Sequence, residues 1–208
     1  MADTMIPVIG IERLRMGIDG DGVRTLIGTY GCPLRCKYCL NPQSWRPSII
    51  PKCYSSKELY QKIAVDSIYF QATNGGITFG GGEPLMHIEG IAEFADLSPK
   101  LWSIWAETSL YVEPSTIVKA SNVIDHFIVD IKTTDKEEYQ LYTGKCFDLA
   151  FSNLQLLKTL VGSNRITVRI PEIPGFVSKD SQERSLDKIS NMGFSDIDLF
   201  SYRTDINK

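Results

Sequence analysis

Val23-Arg24-Thr25-Leu26-Ile27-Gly28-Thr29-Tyr30 runs directly into Gly31-Cys32-Pro33-Leu34-Arg35-Cys36-Lys37-Tyr38-Cys39. The first eight residues are rich in β-branched and aromatic side chains and stop at glycine, which is the composition of a strand. The loop behind them gathers three of the chain's five cysteines, Cys32, Cys36 and Cys39. A strand that delivers a reactive loop at its carboxyl end is the basic unit of an α/β enzyme, and the rest of the chain repeats that unit.

Further strands are expected at 77–79, 101–108, 124–131, 166–170 and 197–202, where short apolar runs are bounded by Gly, Pro or polar clusters. Helices fall between them. Ser55-Ser56-Lys57-Glu58 is a capping-box pattern opening a helix to about Ser67, and another covers 87–97. A further helix begins near Pro114, a residue well suited to the first helical turn. Asp135-x-x-Glu138 opens a short helix ended by Gly144, and two longer ones occupy 149–161 and 179–192. Alternation of this kind implies parallel strands. Six βα units, the last without its helix, are too few for a closed eight-stranded barrel, which takes ~250 residues. The expected fold is therefore α/β, an open partial (β/α)6 barrel with its last helix missing or minimal. A flat doubly wound sheet is the second architecture. No linker, repeat or composition shift divides the chain, so 1–208 reads as a single domain.

The 208 residues carry 22 Lys and Arg against 25 Asp and Glu, a formal net charge of −3, which argues against a nucleic-acid partner or a membrane-surface binder. No apolar run approaches a membrane span, and Met1-Ala2-Asp3-Thr4 lacks a secretory signal. With an odd number of cysteines, the expected setting is the reducing cytoplasm rather than a disulfide framework.

Two chemistries suit the cysteine loop. A structural zinc site needs four ligands, and no second Cys-x-x-Cys or His pair follows; His87, Cys53 or Cys146 would have to be recruited from afar. Three thiolates without a fourth instead suit an iron–sulfur cube with one iron left open to substrate. The other chemistry-bearing residues fall at carboxyl ends of the expected strands: Gly80-Gly81-Gly82 with Glu83, Glu107, Asp130 with Lys132, Arg169 and Arg203. Glycines let a ligand approach the backbone, carboxylates accept from an ammonium, and Lys or Arg pair with a carboxylate. Taken singly, the glycine run reads better as a tight turn leading to Pro84, and each charge as a solvated surface residue. Tyr38 suits packing beside an adenine or ordinary core packing. No Gly-x-Gly-x-x-Gly or P-loop pattern cradles a phosphate. Cys53 and Cys146 read as plain thiols, and His87 and His126 lack partners for acid–base work.

Cys32-x3-Cys36-x2-Cys39 with an aromatic before the last cysteine, followed by Gly81-Gly82-Glu83-Pro84, resembles the radical S-adenosylmethionine superfamily. Ile18-Asp19-Gly20-Asp21-Gly22-Val23-Arg24, Asn41, Trp45, Glu107-Thr108-Ser109, Asp130-Ile131-Lys132, Arg169, Pro174-Gly175 and Ser201-Tyr202-Arg203 resemble, in order and spacing, the activating enzymes of glycyl radical enzymes, of the pyruvate formate-lyase activating type. The resemblance implies one [4Fe-4S] cluster on Cys32, Cys36 and Cys39, with S-adenosylmethionine on the unique iron. It implies Gly81, Gly82 and Glu83 at the amino group, and Lys132 and Arg203 at the carboxylate or ribose. Tyr38, Cys39 and Leu40 would lie along the adenine, with Glu107, Asp130 and Arg169 completing the cofactor site. A flavodoxin- or ferredoxin-like donor would reduce the cluster. Cleavage of the C5′–S bond would then give methionine and a 5′-deoxyadenosyl radical that takes a hydrogen from a glycine of a partner glycyl radical enzyme.

The chain departs from that family at several of these positions. Leu40 replaces a His, Asp21 a Pro, Glu107 an Asp, Leu110 a Gly and Arg203 a His, and the chain ends soon after the sixth strand. Only Cys53 lies between residues 40 and 80, so the extra cluster insert of many activating enzymes is not expected. The departures leave open a radical enzyme acting on another peptide, a small molecule or an anaerobic ribonucleotide reductase. A non-catalytic zinc module is the alternative of another class.

Overall fold

The six expected strands form consecutive staves of one sheet in the computed structural model, which describes residues 4–202. They are β2 (Val23–Thr29), β4 (Gly76–Gly81), β5 (Ser103–Thr108), β6 (His126–Asp130), β7 (Ile166–Glu172) and β8 (Ile197–Ser201). Each is parallel to the next, and their spatial order follows their chain order without a reversal. A doubly wound sheet needs a point where the order reverses, so the arrangement is the partial barrel.

Two strands lie outside the sequence expectation, β1 (Met5–Met16) and β3 (Lys52–Ser55), both antiparallel and on the β2 side of the sheet. Their signals are weak for physical reasons. β1 contains Pro7 and Gly10, its register with β2 shifts twice, and Leu14 takes a left-handed φ of 57°. Such bulges break the period-2 pattern. β3 is four residues long.

The helices are α1 (Ser56–Ile63), α2 (Ser67–Thr73), α3 (Ile88–Leu97), α4 (Pro114–Ser121), α5 (Lys136–Thr143), α6 (Asp148–Val161) and α7 (Lys179–Asn191). Ser55 and Glu58 close the predicted capping box on α1, Asp135 caps α5, and Gly144 ends it at φ 74°. The helix expected to stop near Ser67 instead bends through one 3-10 turn and continues as α2 to Thr73. Asp66 sits at the bend. It is wholly buried and accepts from Arg13 Nε at 2.8 Å and Thr25 Oγ1 at 3.1 Å, tying the helix to β1 and β2. Ile77 and Phe79 of β4, Phe94 of α3, Ile117 of α4 and Leu154 of α6 all join one apolar core. The other strand face mixes polar side chains, Arg24, Thr78, Glu107, His126 and Arg169, with Leu26, Trp105 and Ile128. Among the described residues, no helix is long and apolar enough to cross a membrane.

Candidate active site

The cysteine loop leaves β2 and is seated by backbone bonds from three directions. Gly31 N–H donates to Ser44 O at 2.6 Å. The amides on either side of Cys36, those of Arg35 and Lys37, donate to Thr143 O and Tyr142 O at 2.8 and 3.1 Å, the last carbonyls of α5. From β4, Gly82 N–H reaches Thr29 O at 3.0 Å and Glu83 N–H reaches Gly31 O at 2.7 Å. This close approach explains the glycine run. A Cβ on Gly82 would stand 2.2 Å from Gly31 O, and Gly81 holds φ +84° with Gly28 Cα 2.7 Å from where its Cβ would be. The glycines thus serve first to let the two loops meet, and the Gly82 and Glu83 amides are used within the chain.

All three loop cysteines are free thiols and half-buried. Burial, reinforced by Glu83, pushes Cys32 up to about 12, and burial pushes Cys36 up to about 11. Thiolates here therefore need a bound cation, and soft sulfur donors on one loop suit iron. The candidate fourth ligands are elsewhere. His87 Nε2 lies 2.6 Å from Tyr30 O, Cys53 is exposed on the edge strand β3, and Cys146 is exposed beside Tyr111. None of the three lines the cavity described next.

A cavity of about 460 Å³ opens at the carboxyl ends of the parallel strands. Cys32, Cys36 and Cys39 form one side with Tyr38 and Leu40; Gly81 and Gly82 form part of the wall, and Glu107, Asp130, Lys132 and Arg169 the rest. Eleven of the thirteen residues expected from sequence are thereby brought together. Arg203 lies outside the described residues. Glu83 is fully buried and does not line the cavity. Its carboxylate accepts from Thr108 Oγ1 (2.6 Å), Ser109 N (2.9 Å), Ser109 Oγ (2.6 Å) and Leu85 N (3.2 Å), bracing the end of β5 against the β4 loop.

The charges in the wall compensate one another. Arg169 Nη1 donates to Glu107 Oε1 at 2.8 Å and Nη2 to Ile18 O at 2.6 Å, while Nε lies 3.5 Å from Asp198 Oδ2. Burial lifts the Glu107 carboxyl above its usual range against the pull of Arg169. Lys132 Nζ donates to Asp130 Oδ2 and to Tyr202 OH, each at 2.9 Å. Burial opposes its charge, but Asp130, Tyr202 and Cys36 outweigh it and hold Lys132 well above its ordinary value. At the rim, Tyr38 meets Phe176 edge-on, 5.5 Å between centroids, and Leu40 is exposed. Tyr142, Tyr202, Ser109, Ile18 and Asp198 also belong to the cavity and were not singled out as site residues from sequence. Ile18, Ser109 and Tyr202 stand within matching stretches; Tyr142 and Asp198 carry no motif, and only the folding of their elements brings them in.

A family profile described as a 4Fe-4S single cluster domain matches residues 18–131, more than half the chain and all three loop cysteines. The 4-hydroxyphenylacetate decarboxylase activating enzyme of Clostridioides difficile strain 630 is 30% identical, with 84% of this chain and 74% of that protein aligned. The alignment runs to 236 positions, more than the 208 residues of this chain, so that relative carries inserted segments this chain lacks. The pyruvate formate-lyase 2-activating enzyme of Escherichia coli K12 is 26% identical over 96% of this chain and 78% of its own length. Among solved structures, Streptococcus suis SuiB superposes with a TM-score of 0.64 at 13% identity, a likeness of fold that takes in 86% of this chain and 39% of SuiB. This chain belongs to the radical S-adenosylmethionine superfamily, with a single 4Fe-4S cluster domain, and to its branch of glycyl-radical-enzyme activating enzymes.

Proposed function

We propose that the chain reductively cleaves S-adenosylmethionine and takes a hydrogen atom from a glycine of a partner glycyl radical enzyme. The observation that carries this is the meeting of a three-thiol loop with a charged cavity at the carboxyl ends of six parallel strands. The kinship with activating enzymes supports the same conclusion. When bound, a [4Fe-4S] cluster supplies one electron to the sulfonium, so that the C5′–S bond breaks to methionine and a 5′-deoxyadenosyl radical.

Cys32, Cys36 and Cys39 would hold that cluster, and with no fourth thiol or imidazole at the cavity among the described residues, one iron would stay open to the cofactor's amino-acid end. Lys132 offers a cation to the carboxylate, and the site keeps Gly81 and Gly82 free of side chains where the amino end lies. Tyr38, Cys39 and Leu40 line the adenine side. Glu107 and Arg169 hold each other's charge, so neither stands as an unpaired ion in the wall. Asp130 fixes Lys132, and Glu83 shapes the floor from beneath. Arg203 keeps the nucleoside or carboxylate role that the family resemblance gives it. Enclosure by this wall limits water near the radical. A flavodoxin or ferredoxin in the cytoplasm serves as the electron donor.

The test is anaerobic reconstitution with iron and sulfide, reduction with dithionite, and mass spectrometry for 5′-deoxyadenosine. With a cognate partner present, a glycine-centred electron paramagnetic resonance doublet is expected. Absence of 5′-deoxyadenosine from a fully loaded, reduced protein contradicts the assignment. Turnover of the cofactor without a glycyl signal on any candidate partner contradicts the activating role alone.

A further inference from the structure

The cavity wall contains a hydroxyl that the fold leaves unsatisfied. Tyr142, near the end of α5, is 0% exposed, packs with Ile173 and Val177 beside Cys36 and Tyr202, and lines the cavity. Among the described residues its hydroxyl has no partner in full hydrogen-bond geometry, and the Tyr202 hydroxyl is its polar neighbour. Phenylalanine would fill the same space without the penalty of an unpaired buried hydroxyl. Its ring has little freedom to turn away, since Phe176 packs against it at 5.3 Å and Tyr202 at 6.5 Å between centroids.

Two further donors line the same cavity. Lys132 Nζ has three N–H groups and places two of them, on Asp130 and on Tyr202 OH. Tyr202 accepts that bond, which leaves its own proton to give, with the Tyr142 hydroxyl beside it. A phenol keeps its proton at neutral pH, so each can donate. A phenol, a second phenol and an ammonium, each with a proton to give, match a group with several acceptor lone pairs and negative charge. A carboxylate is such a group.

We propose that Tyr142 and Tyr202 join Lys132 in a carboxylate-binding nest that holds the amino-acid end of S-adenosylmethionine. This rests on the functional reading above and adds two residues to the site. Asp130 and Tyr202 aim Lys132, and Tyr142 closes the nest from the α5 side.

The test compares wild type, Tyr142→Phe and Tyr202→Phe, all anaerobically reconstituted and matched for cluster absorbance. Binding of S-adenosylmethionine and of its decarboxylated analogue is measured by equilibrium dialysis, and melting of each chain without added cofactor is recorded. Tyr142→Phe is expected to weaken S-adenosylmethionine about tenfold, the scale of a hydrogen bond to a charged group, and to leave the decarboxylated analogue unchanged. Tyr202→Phe is expected to weaken the same ligand selectively. The Tyr142→Phe chain is expected to melt at or above the wild-type temperature. Unchanged affinity, or an equal loss for both ligands, overturns the nest. A lower melting temperature for Tyr142→Phe also overturns it, because the hydroxyl would then be satisfied within the fold. Wild type that carries its cluster yet binds neither ligand overturns the functional reading itself, an outcome seen before any variant is compared.

Discussion

Replacing Glu83 with alanine removes a carboxylate that accepts four hydrogen bonds from the 85 and 108–109 segments while wholly buried. Burial pushes this carboxyl up, and the donors around it pull it down without prevailing. The variant therefore loses a bracing network and also sheds a desolvated charge. Each buried donor left unpaired costs about 1–3 kcal/mol, and Thr108 Oγ1 and Leu85 N are the two least able to reach water. Relief of the buried charge offsets part of this, leaving a net loss of about 3 kcal/mol, a large share of a stability of about 5–15 kcal/mol. With a urea slope of about 2 kcal/mol per M, the midpoint should fall by about 1.5 M. Glu83→Gln keeps the shape but sets an amide against donors and should lose about half as much. Anaerobic urea unfolding of the cofactor-free chain, followed by circular dichroism, reads both. A wild-type midpoint for Glu83→Ala, accompanied by collapse of S-adenosylmethionine binding, would show that the carboxylate faces the ligand instead of bracing the floor.

Three more outcomes follow from the geometry. Arg24 is buried over the Trp105 ring, and its N–H groups reach Thr78 Oγ1, Ser103 Oγ and three carbonyls, those of Asp21, Ile77 and Ser103. Burial lowers it only to about 10, so it remains charged at neutral pH. Arg24→Met should cost about 3 kcal/mol in chemical denaturation, and Lys should not rescue it, because a point charge cannot fill that fork; a wild-type midpoint for either would refute the assignment. Gly82→Ala has no room for its methyl group beside Gly31 O and Thr29 O, 2.2 and 2.8 Å away, so the purified variant should hold under a tenth of the wild-type iron; full loading would contradict the packing. Burial lowers His87, and also His126, so the folded chain binds fewer protons than the unfolded one just below pH 6.5 and stability falls as pH drops through that range. His87→Gln should flatten this slope between pH 7 and 5, leaving the share of His126; an unaltered slope would remove His87 from the effect.

The fold was readable where local chemistry and tertiary role agree. Strands at 23–30, 101–108 and 166–170 announce themselves by β-branched or aromatic residues, and Ser55, Asp135 and Gly144 by capping chemistry that the structure reproduces. β1 was hidden because its bulges destroy alternation, and β3 because four residues carry no period. At the bend Asp66 is held by Arg13 and Thr25, distant in sequence, a pairing that no local pattern marks. The same division holds at the site. Residues at strand ends converge as their positions imply, since the carboxyl edge of a parallel sheet gathers them whatever their spacing. Glu83 shows the limit. Its place in a motif points to the ligand side, whereas its oxygens are taken by Thr108, Ser109 and Leu85. Tyr142 shows the converse, an unmarked helix residue whose role becomes visible only when its hydroxyl is found without a partner in full hydrogen-bond geometry.

The proposed chemistry requires three sulfurs holding a four-iron cube whose remaining iron accepts an outside ligand. Electron paramagnetic resonance of the reduced, reconstituted chain, recorded before and after S-adenosylmethionine is added, tests that arrangement. The predicted result is a cluster signal whose g-values shift on addition, as the open iron gains amine and carboxylate donors. A signal that S-adenosylmethionine leaves untouched, from a protein with four irons per chain, would mean that a side chain of the protein already occupies that iron.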